Sequence, residues 1–304
     1  MIDFAIETNG LRKEFGRKTA VANFSLQVKR GEIFGFLGPN GAGKTTSVKM
    51  LLQLIKPTAG TANLLGRPLG DRQTRAKIGF LPEHFRFHEW LTAAEFLHFH
   101  GRLYGMNEAE RKEIIPDLLA LVGLSAQTNV QLKTFSKGML QRIGLAQTLL
   151  NDPELIFLDE PTSGLDPMGR RLVRDIINGL REEGTTVFLN SHLLSEVEKT
   201  CDRVTFIRQG TTLETIDLHS FQPEAVRVTV RVGQPTPQLL QALTQFGQEI
   251  EMEKGNGRIH LCMPHEDNIP ELAAWLVQSG HNLYELSLKR LSLEDRFLQI
   301  IGED

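Results

Sequence analysis

The chain has 304 residues, 40% hydrophobic and 23% charged, the balance of a soluble globular protein long enough for two domains that each bury a core. Its 34 basic against 37 acidic residues give a net charge of −3, which argues against a broad nucleic-acid surface and against a polybasic lipid anchor. No apolar run approaches the ~18 residues that span a bilayer, and the opening MIDFAIETNG lacks the basic and apolar regions of a signal peptide. The two cysteines, Cys201 and Cys262, are too few for a disulfide scaffold or a zinc motif. The expectation is a reduced cytoplasmic compartment, with any membrane role supplied through a partner.

In chain order, FAIETNGLRKEFG and AVANFSLQV alternate weakly and predict short strands joined by turns. GEIFGFLG is a compact apolar run, a buried strand ending at Gly38. The helix that follows places Val48, Leu51, Leu52 and Ile55 on one face. Between strand and helix, Gly38, Pro39, Asn40, Gly41, Ala42, Gly43, Lys44 and Thr45, with Thr46 beside them, fit G-x-x-x-x-G-K-(S/T) in the context that motif requires. Glycines let backbone N–H groups approach phosphate oxygens. Lys44 then reaches the β- and γ-phosphates of a nucleoside triphosphate, and the Thr45 hydroxyl binds Mg²⁺.

EHFRFHEW and FLHFHG hold His84, His88, His98 and His100. His84 and His88 have helical i, i+4 spacing, but no carboxylate or cysteine framework accompanies them, so packing and surface roles are expected. Phe85, Phe87 and Trp90 read as core, and residues 94–122 as mostly helical. In TFSKGMLQRIG, Ser136 and Gly138 precede an apolar-periodic run, so a helix starts there with unsatisfied N–H groups and a positive dipole suited to an anion. A second anion-binding turn in a chain with a phosphate loop raises the question of whose phosphate it holds. Leu155 to Leu158 then deliver Asp159 and Glu160 to the C-terminal end of a buried strand. Asp159 suits the Mg²⁺ shell and Glu160 a general base that polarises water. GTTVFLNSH is a third buried strand, and an N-K-x-D guanine-reading motif is absent.

After Phe221 the character changes. AVRVTVRV, EIEMEK, RIHLCM and NLYELSLKR read as strands, with helices in TPQLLQALTQF and IPELAAWLVQSG, which is the βαββαβ order of a split βαβ domain. Val226, Val228, Val230 and Val232 share one face, and the turn GNG, through Asn256-Gly257, suits a tight hairpin. Leu293, Phe297 and Ile300 suggest a final amphipathic helix capped by Ser292. This region holds no catalytic constellation and reads as a packing or regulatory module.

Taken together and in order, GPNGAGKT, FSKGMLQR, LIFLDEP, SGLD and NSH make residues 4 to 220 resemble the ATP-binding subunits of ABC transporters. The resemblance implies an α/β P-loop NTPase core over residues 1–220, with an N-terminal antiparallel β subdomain and a helical subdomain near 88–150, followed by a small α+β ferredoxin-like domain over 221–304. It implies ATP and Mg²⁺ as ligands and two ATPase domains dimerised head to tail. The signature, with Ser136, Gly138 and Gln141, then closes over ATP held by the partner's loop. Ser163, Gly164, Leu165 and Asp166 match the D-loop, and His192 the switch histidine. Phe15 stands where an aromatic ring stacks on adenine, the alternative being a core phenylalanine in a strand. Glu83 occupies the place of the Q-loop glutamine, where a carboxylate still ligates Mg²⁺ but adds negative charge. Lys137, Met139 and Leu140 stand where the family often has Gly-Gly between Ser and Gln, and of the glycines only Gly138 is kept.

Such variants resemble the ATPases that serve ABC-2-type export permeases. The partners implied are transmembrane permease subunits and a second copy of the ATPase domain, with no nucleic acid. The location implied is peripheral, on the inner face of the cell membrane, with a coupling helix of the permease received near Phe85, Phe87 and Trp90. A soluble ABC ATPase acting on ribosomes or nucleic acid is the alternative. Related proteins of that kind carry two ATPase domains or a long coiled coil in one chain, and this chain has neither. A regulator without turnover is disfavoured by the presence of both Glu160 and His192.

Overall fold

The computed structural model describes residues 3–220, 226–253 and 256–290, with positions 293, 296 and 297. The chain divides into two compact units, Met1–His219 and Ser220–Asp304. The first contains, in order, β1 (Phe4–Phe15), β2 (Lys18–Lys29), β3 (Ile33–Leu37), α1 (Lys44–Leu51), β4 (Ala59–Leu64), β5 (Arg67–Pro68), α2 (Arg72–Arg75), β6 (Ile78–Leu81), α3 (Ala93–Leu103) and α4 (Glu108–Leu121). It continues with α5 (Lys137–Leu149), β7 (Leu155–Asp159), α6 (Pro167–Glu182), β8 (Thr186–Asn190), α7 (Leu194–Thr200), β9 (Arg203–Arg208) and β10 (Thr211–Asp217).

Its sheet has the order β5-β4-β1-β2-β10-β9-β3-β8-β7-β6. The chemistry of the strands explains where each runs. Every residue of β3, β7 and β8 is buried, as the near-continuous apolar sequences IFGFL, LIFLD and TVFLN require of parallel strands covered on both faces. These strands pair in parallel, β3 with β8 and β9, β7 with β8 and β6. Phe34, Phe36 and Phe157 all pack on Phe188, with ring centroids 5.3–5.9 Å apart, so one aromatic ring binds three strands together.

The half-polar N-terminal strands instead form an antiparallel hairpin, β1 with β2, extended by β4. Each runs twelve residues, longer than the short strands expected. Register shifts, one of them between Thr8 and Leu11, absorb the irregular alternation, and Gly10 turns to φ 57° beside it. A second departure is α1, which stops at Leu51 rather than continuing to Ile55. Gln53 adopts φ 56° and its N–H donates to the Met50 carbonyl, closing the helix. The helical region expected over 94–122 is two helices, separated at Gly105 (φ 83°), where Asn107 and Glu110 form a capping box for α4. Both pack with α5.

The second unit follows the order β11 (Val226–Val232), α8 (Pro237–Leu243), β12 (Gln248–Met252), β13 (Arg258–Met263), α9 (Ile269–Gln278) and β14 (Leu283–Arg290). Its antiparallel sheet is arranged β12-β13-β11-β14. The strict alternation of VRVTVRV buries all four valines, and Val228, Val230 and Val232 join Leu239 and Leu243 of α8 and Leu272 and Leu276 of α9 in one core. Of the expected final helix, positions 293, 296 and 297 are helical. Ser292 and Ile300, like Ala225, Lys254 and Gly255 of the other expected elements, lie outside the described residues.

Leu276 is fully buried in this second core. Leu276→Ala is expected to destabilise the second unit by about 2–5 kcal/mol. Chemical denaturation followed through Trp275, which packs against this core, reads the effect.

Candidate nucleotide-binding site

The phosphate loop begins where β3 runs out of sheet. A Cβ at Gly38 would lie 2.3 Å from the Ile207 carbonyl oxygen, so only glycine lets the chain leave there. Gly41 (φ 81°) and Gly43 (φ 104°) then take left-handed conformations that curl the loop into α1, whose positive end this presents to an anion. Lys44 folds back over the loop, its ammonium donating to the carbonyls of Gly38 at 2.6 Å and Pro39 at 3.2 Å.

The loop forms one wall of a cavity of about 680 Å³, to which Pro39, Asn40, Gly41, Gly43, Lys44, Thr45 and Thr46 all contribute. Across from it stand Glu83, Asp159, Glu160 and His192. They lie at or just beyond the C-terminal ends of β6, β7 and β8, so with the phosphate loop after β3 the parallel sheet delivers four segments to one crevice. Asp159 is buried and accepts a 2.5 Å hydrogen bond from Asn190 Nδ2. Glu160 is buried too, and its backbone is left-handed at φ 53°. Its N–H donates to the Asn190 carbonyl at 2.8 Å. His192 Nδ1 comes within 2.7 Å of Glu160 Oε2, in a geometry that makes no hydrogen bond. Oε2 is thus buried against the His192 ring and makes no hydrogen bond, while Glu160 itself lines the cavity.

Burial pulls the Lys44 ammonium below the usual lysine range, against the opposing pull of the Glu160, Asp159 and Glu83 carboxylates. Burial likewise raises the Asp159 carboxyl, helped by the negative charges of Glu83 and Glu160 and opposed by Asn190 and Lys44. Both shifts describe a site short of compensating charge. Among the described residues no three His, Cys, Asp or Glu side chains form a group that could hold a metal alone. Magnesium is commonly held by one or two carboxylates together with substrate phosphates, and Thr45, Glu83 and Asp159 share this cavity in a way that fits that mode.

Other expected site residues lie outside the cavity wall. Ala42 is buried beneath the loop. Phe15, 52% exposed at the tip of the β1–β2 hairpin with Lys13 Nζ 5.0 Å above its ring, is not a core residue. Ser136 caps α5, its hydroxyl accepting from the Met139 N–H. Gly138 gives room to Leu165, whose Cδ2 would be 3.1 Å from a Cβ there. Gly164 (φ 74°) lies under the Lys137 side chain, Asp166 caps α6, and Ser163 donates its N–H to the Glu160 carbonyl. Gln141 Nε2 donates to that same carbonyl.

The aromatic cluster divides. Phe85 and Phe87 pack on Phe96 of α3, whereas Trp90 is 68% exposed. His84 and His88 lie in a loop, so the helical spacing does not apply, and His88 packs against Trp90 and Phe99. The sequence reading missed Lys18, Thr19, Ala20, Asn190 and Gln209, which also line the cavity. Asn190 had a signal, since it ends a buried strand two residues before His192. Lys18, Thr19 and Ala20 open β2 and Gln209 lies in the β9–β10 turn, and the local sequence at neither place says anything of phosphate.

A glycine loop feeding a helix, faced by carboxylates from the ends of a parallel sheet, defines a nucleoside triphosphatase of the α/β class. The ABC transporter family model matches residues 21–163. An ABC transporter ATP-binding protein of Synechocystis sp. is 42% identical over 92% of this chain and 77% of its own length. The Nod factor export ATP-binding protein I of Rhizobium sp. (strain N33) is 34% identical over 100% of this chain and 99% of its own. Among solved structures, the dimeric post-hydrolysis state of an ATP-binding cassette bound to ADP and Pi matches with TM-score 0.66 and 26% identity, over 71% of this chain and 100% of that one. The chain belongs to the ABC transporter family as an ATP-binding subunit, and it is an ATPase.

The raised carboxyl of Asp159 fixes the sign of a stability effect. Its ionised form is the disfavoured one in the folded chain, so this group's contribution to stability falls as pH rises through its pKa. Asp159→Asn is therefore expected to raise Tm at pH 8 in buffer without nucleotide or metal, by about 2–4 °C for each kcal/mol relieved. The gain should shrink as pH falls toward the ordinary carboxylate range, because the folded parent then takes up the proton that burial favours. Melting curves across that range check it, and a lower Tm at pH 8 contradicts it.

Proposed function

We propose that this ATPase powers an exporter, working as a head-to-tail homodimer beneath separate transmembrane permease subunits. The observation that carries the catalytic part is the Glu160 carboxylate on the wall of the phosphate-loop cavity, with Oε2 2.7 Å from His192 Nδ1. A desolvated carboxylate at that place suits a general base for water. Thr45, Asp159 and Glu83 would hold Mg²⁺, which supplies positive charge to the phosphates and to this acidic wall.

The loop N–H groups and Lys44 bind the β- and γ-phosphates, Lys44 exchanging its carbonyl partners for phosphate oxygens. Glu160 takes the proton of the attacking water, and His192, with Nδ1 against Glu160 Oε2, orients that water and the γ-phosphate. The exposed ring of Phe15 provides a face for adenine. Ser136 and Gly138, at the open start of α5, hold the γ-phosphate of the partner's nucleotide, and the segment Ser163–Asp166 lies along the dimer junction. The dimeric state of the related cassette supports this arrangement.

Export follows the Nod factor relative, which matches the full chain. Among the described residues no helix is long and apolar enough to cross a membrane. Permease subunits therefore provide the membrane path in this reading, and hold the protein on the inner face of the cell membrane. Trp90, exposed beside the His88 ring, suits an anchor for their coupling helix. We take residues 1–220 as the ATPase domain, with its helical part near 88–150. Residues 221–304 are read as a ferredoxin-like accessory domain, supported by the βαββαβ order and the strand arrangement β12-β13-β11-β14.

Glu160→Gln tests the central assignment, because an amide cannot accept the proton. ATP binding is expected to persist while hydrolysis slows by about 10²–10⁴-fold, and the variant should accumulate as an ATP-bound dimer on size exclusion. Turnover near the parent rate would overturn it. Co-purification of the parent from detergent-solubilised membranes, with identification of the bound permease, tests the partner.

A further inference from the structure

Gln141 lies on α5, in the turn after Ser136 and Gly138, yet its side chain points to the base of its own chain. Its Nε2 donates to the Glu160 carbonyl at 3.3 Å. The same carbonyl accepts the Ser163 N–H at 3.1 Å, and the Glu160 N–H donates to the Asn190 carbonyl at 2.8 Å. Three bonds thus hold one residue whose backbone, at φ 53°, is left-handed. That conformation costs a side-chain-bearing residue free energy and persists only where surroundings fix it. Two of the bonds come from the local turn and the neighbouring strand. The third comes from α5, and it is the polar tie between that helix and the base.

Packing reinforces the tie. Leu165 fills the space beside Gly138, and the Lys137 side chain covers Gly164, with its Cδ 2.6 Å from where a Cβ would be. The segment from Glu160 to Leu165 is therefore strapped to the first turns of α5 at three points.

We infer that Gln141 is a positioning residue for the catalytic base: its amide fixes the Glu160 carbonyl, and so the direction of the carboxylate, and couples the start of α5 to hydrolysis in the same chain's site. The inference rests on the reading of Glu160 as base. With the proposed dimer, α5 meets the partner's nucleotide at its start and its own chain's base one turn later. Closure over one ATP then adjusts the geometry at the other.

Gln141→Met keeps length and helix preference but removes the donor. Two readouts separate positioning from nucleotide contact: ATP occluded per dimer, and the single-turnover rate of the occluded ATP. Occlusion is expected at the parent level, with hydrolysis about tenfold slower, which corresponds to about 1.4 kcal/mol, the scale of one hydrogen bond. Gln141→His, which offers a ring N–H at similar reach, should recover most of the rate. Gln141→Glu, with the shape but no donor, should match Gln141→Met and decides the matter if that variant does not fold.

In a Glu160→Gln background, Gln141→Met is expected to cost nothing further, because its effect passes through Glu160. A parent-like hydrolysis rate in Gln141→Met overturns the inference. So does loss of occlusion comparable to that of Ser136→Arg, or a full extra tenfold loss on top of Glu160→Gln. Near-parent turnover in Glu160→Gln alone would instead remove the base assignment, so the two failures are distinguishable.

Discussion

Phe36, Asn190 and Asp159 lie side by side across β3, β8 and β7, and the site depends on that alignment. The strands are parallel and buried on both faces, so their register is fixed by the aromatic packing around Phe188 rather than by anything in the cavity. With the strands ending level, the phosphate loop, the acidic pair and the segment of His192 emerge beside one another. A slip of one residue in β7 would turn Asp159 to the opposite face of the sheet and break its bond to Asn190. The chemistry is thus set by hydrophobic packing one layer below it.

The electrostatics follow from this geometry. A buried sheet places Asp159 and Glu160 in a poorly solvated place, and Lys44 shares their burial. Each ionised group there raises the cost of its like-charged neighbours and lowers that of its opposites. Lys44 gives two of its three donors to the carbonyls of Gly38 and Pro39 and bonds none of the carboxylates, which gain only its field. A ligand carrying both phosphate and a divalent cation matches what each side lacks, which is why the wall of carboxylates and the loop of N–H groups belong to one site.

What the sequence made legible was local. The phosphate loop, the apolar run before Asp159 and the valine alternation of β11 are each written in adjacent residues, and the structure follows them. Lys18 to Ala20 and Gln209 reach the cavity through hairpins, where only the pairing of distant strands decides what comes near. The end of α1 was misjudged because Leu52 and Ile55 continue the helical pattern and do pack against the core, but from a turn that Gln53 opens. Trp90 is exposed although Phe85 and Phe87 are half-buried, since a periodic pattern breaks down in the loop after β6. Gln141 sits in the signature sequence, and only the fold reveals that its side chain turns inward to Glu160.

The left-handed backbone of Glu160 also bears on how this chain changes under selection. Glycine adopts that conformation freely, and asparagine does so more readily than glutamate. Selection for heat resistance alone, blind to turnover, would therefore favour leaving glutamate at this position. A lineage that kept the fold while losing its transport role would be expected to drift there early. Glutamate at 160 in a strained turn is in that sense a record of continued use.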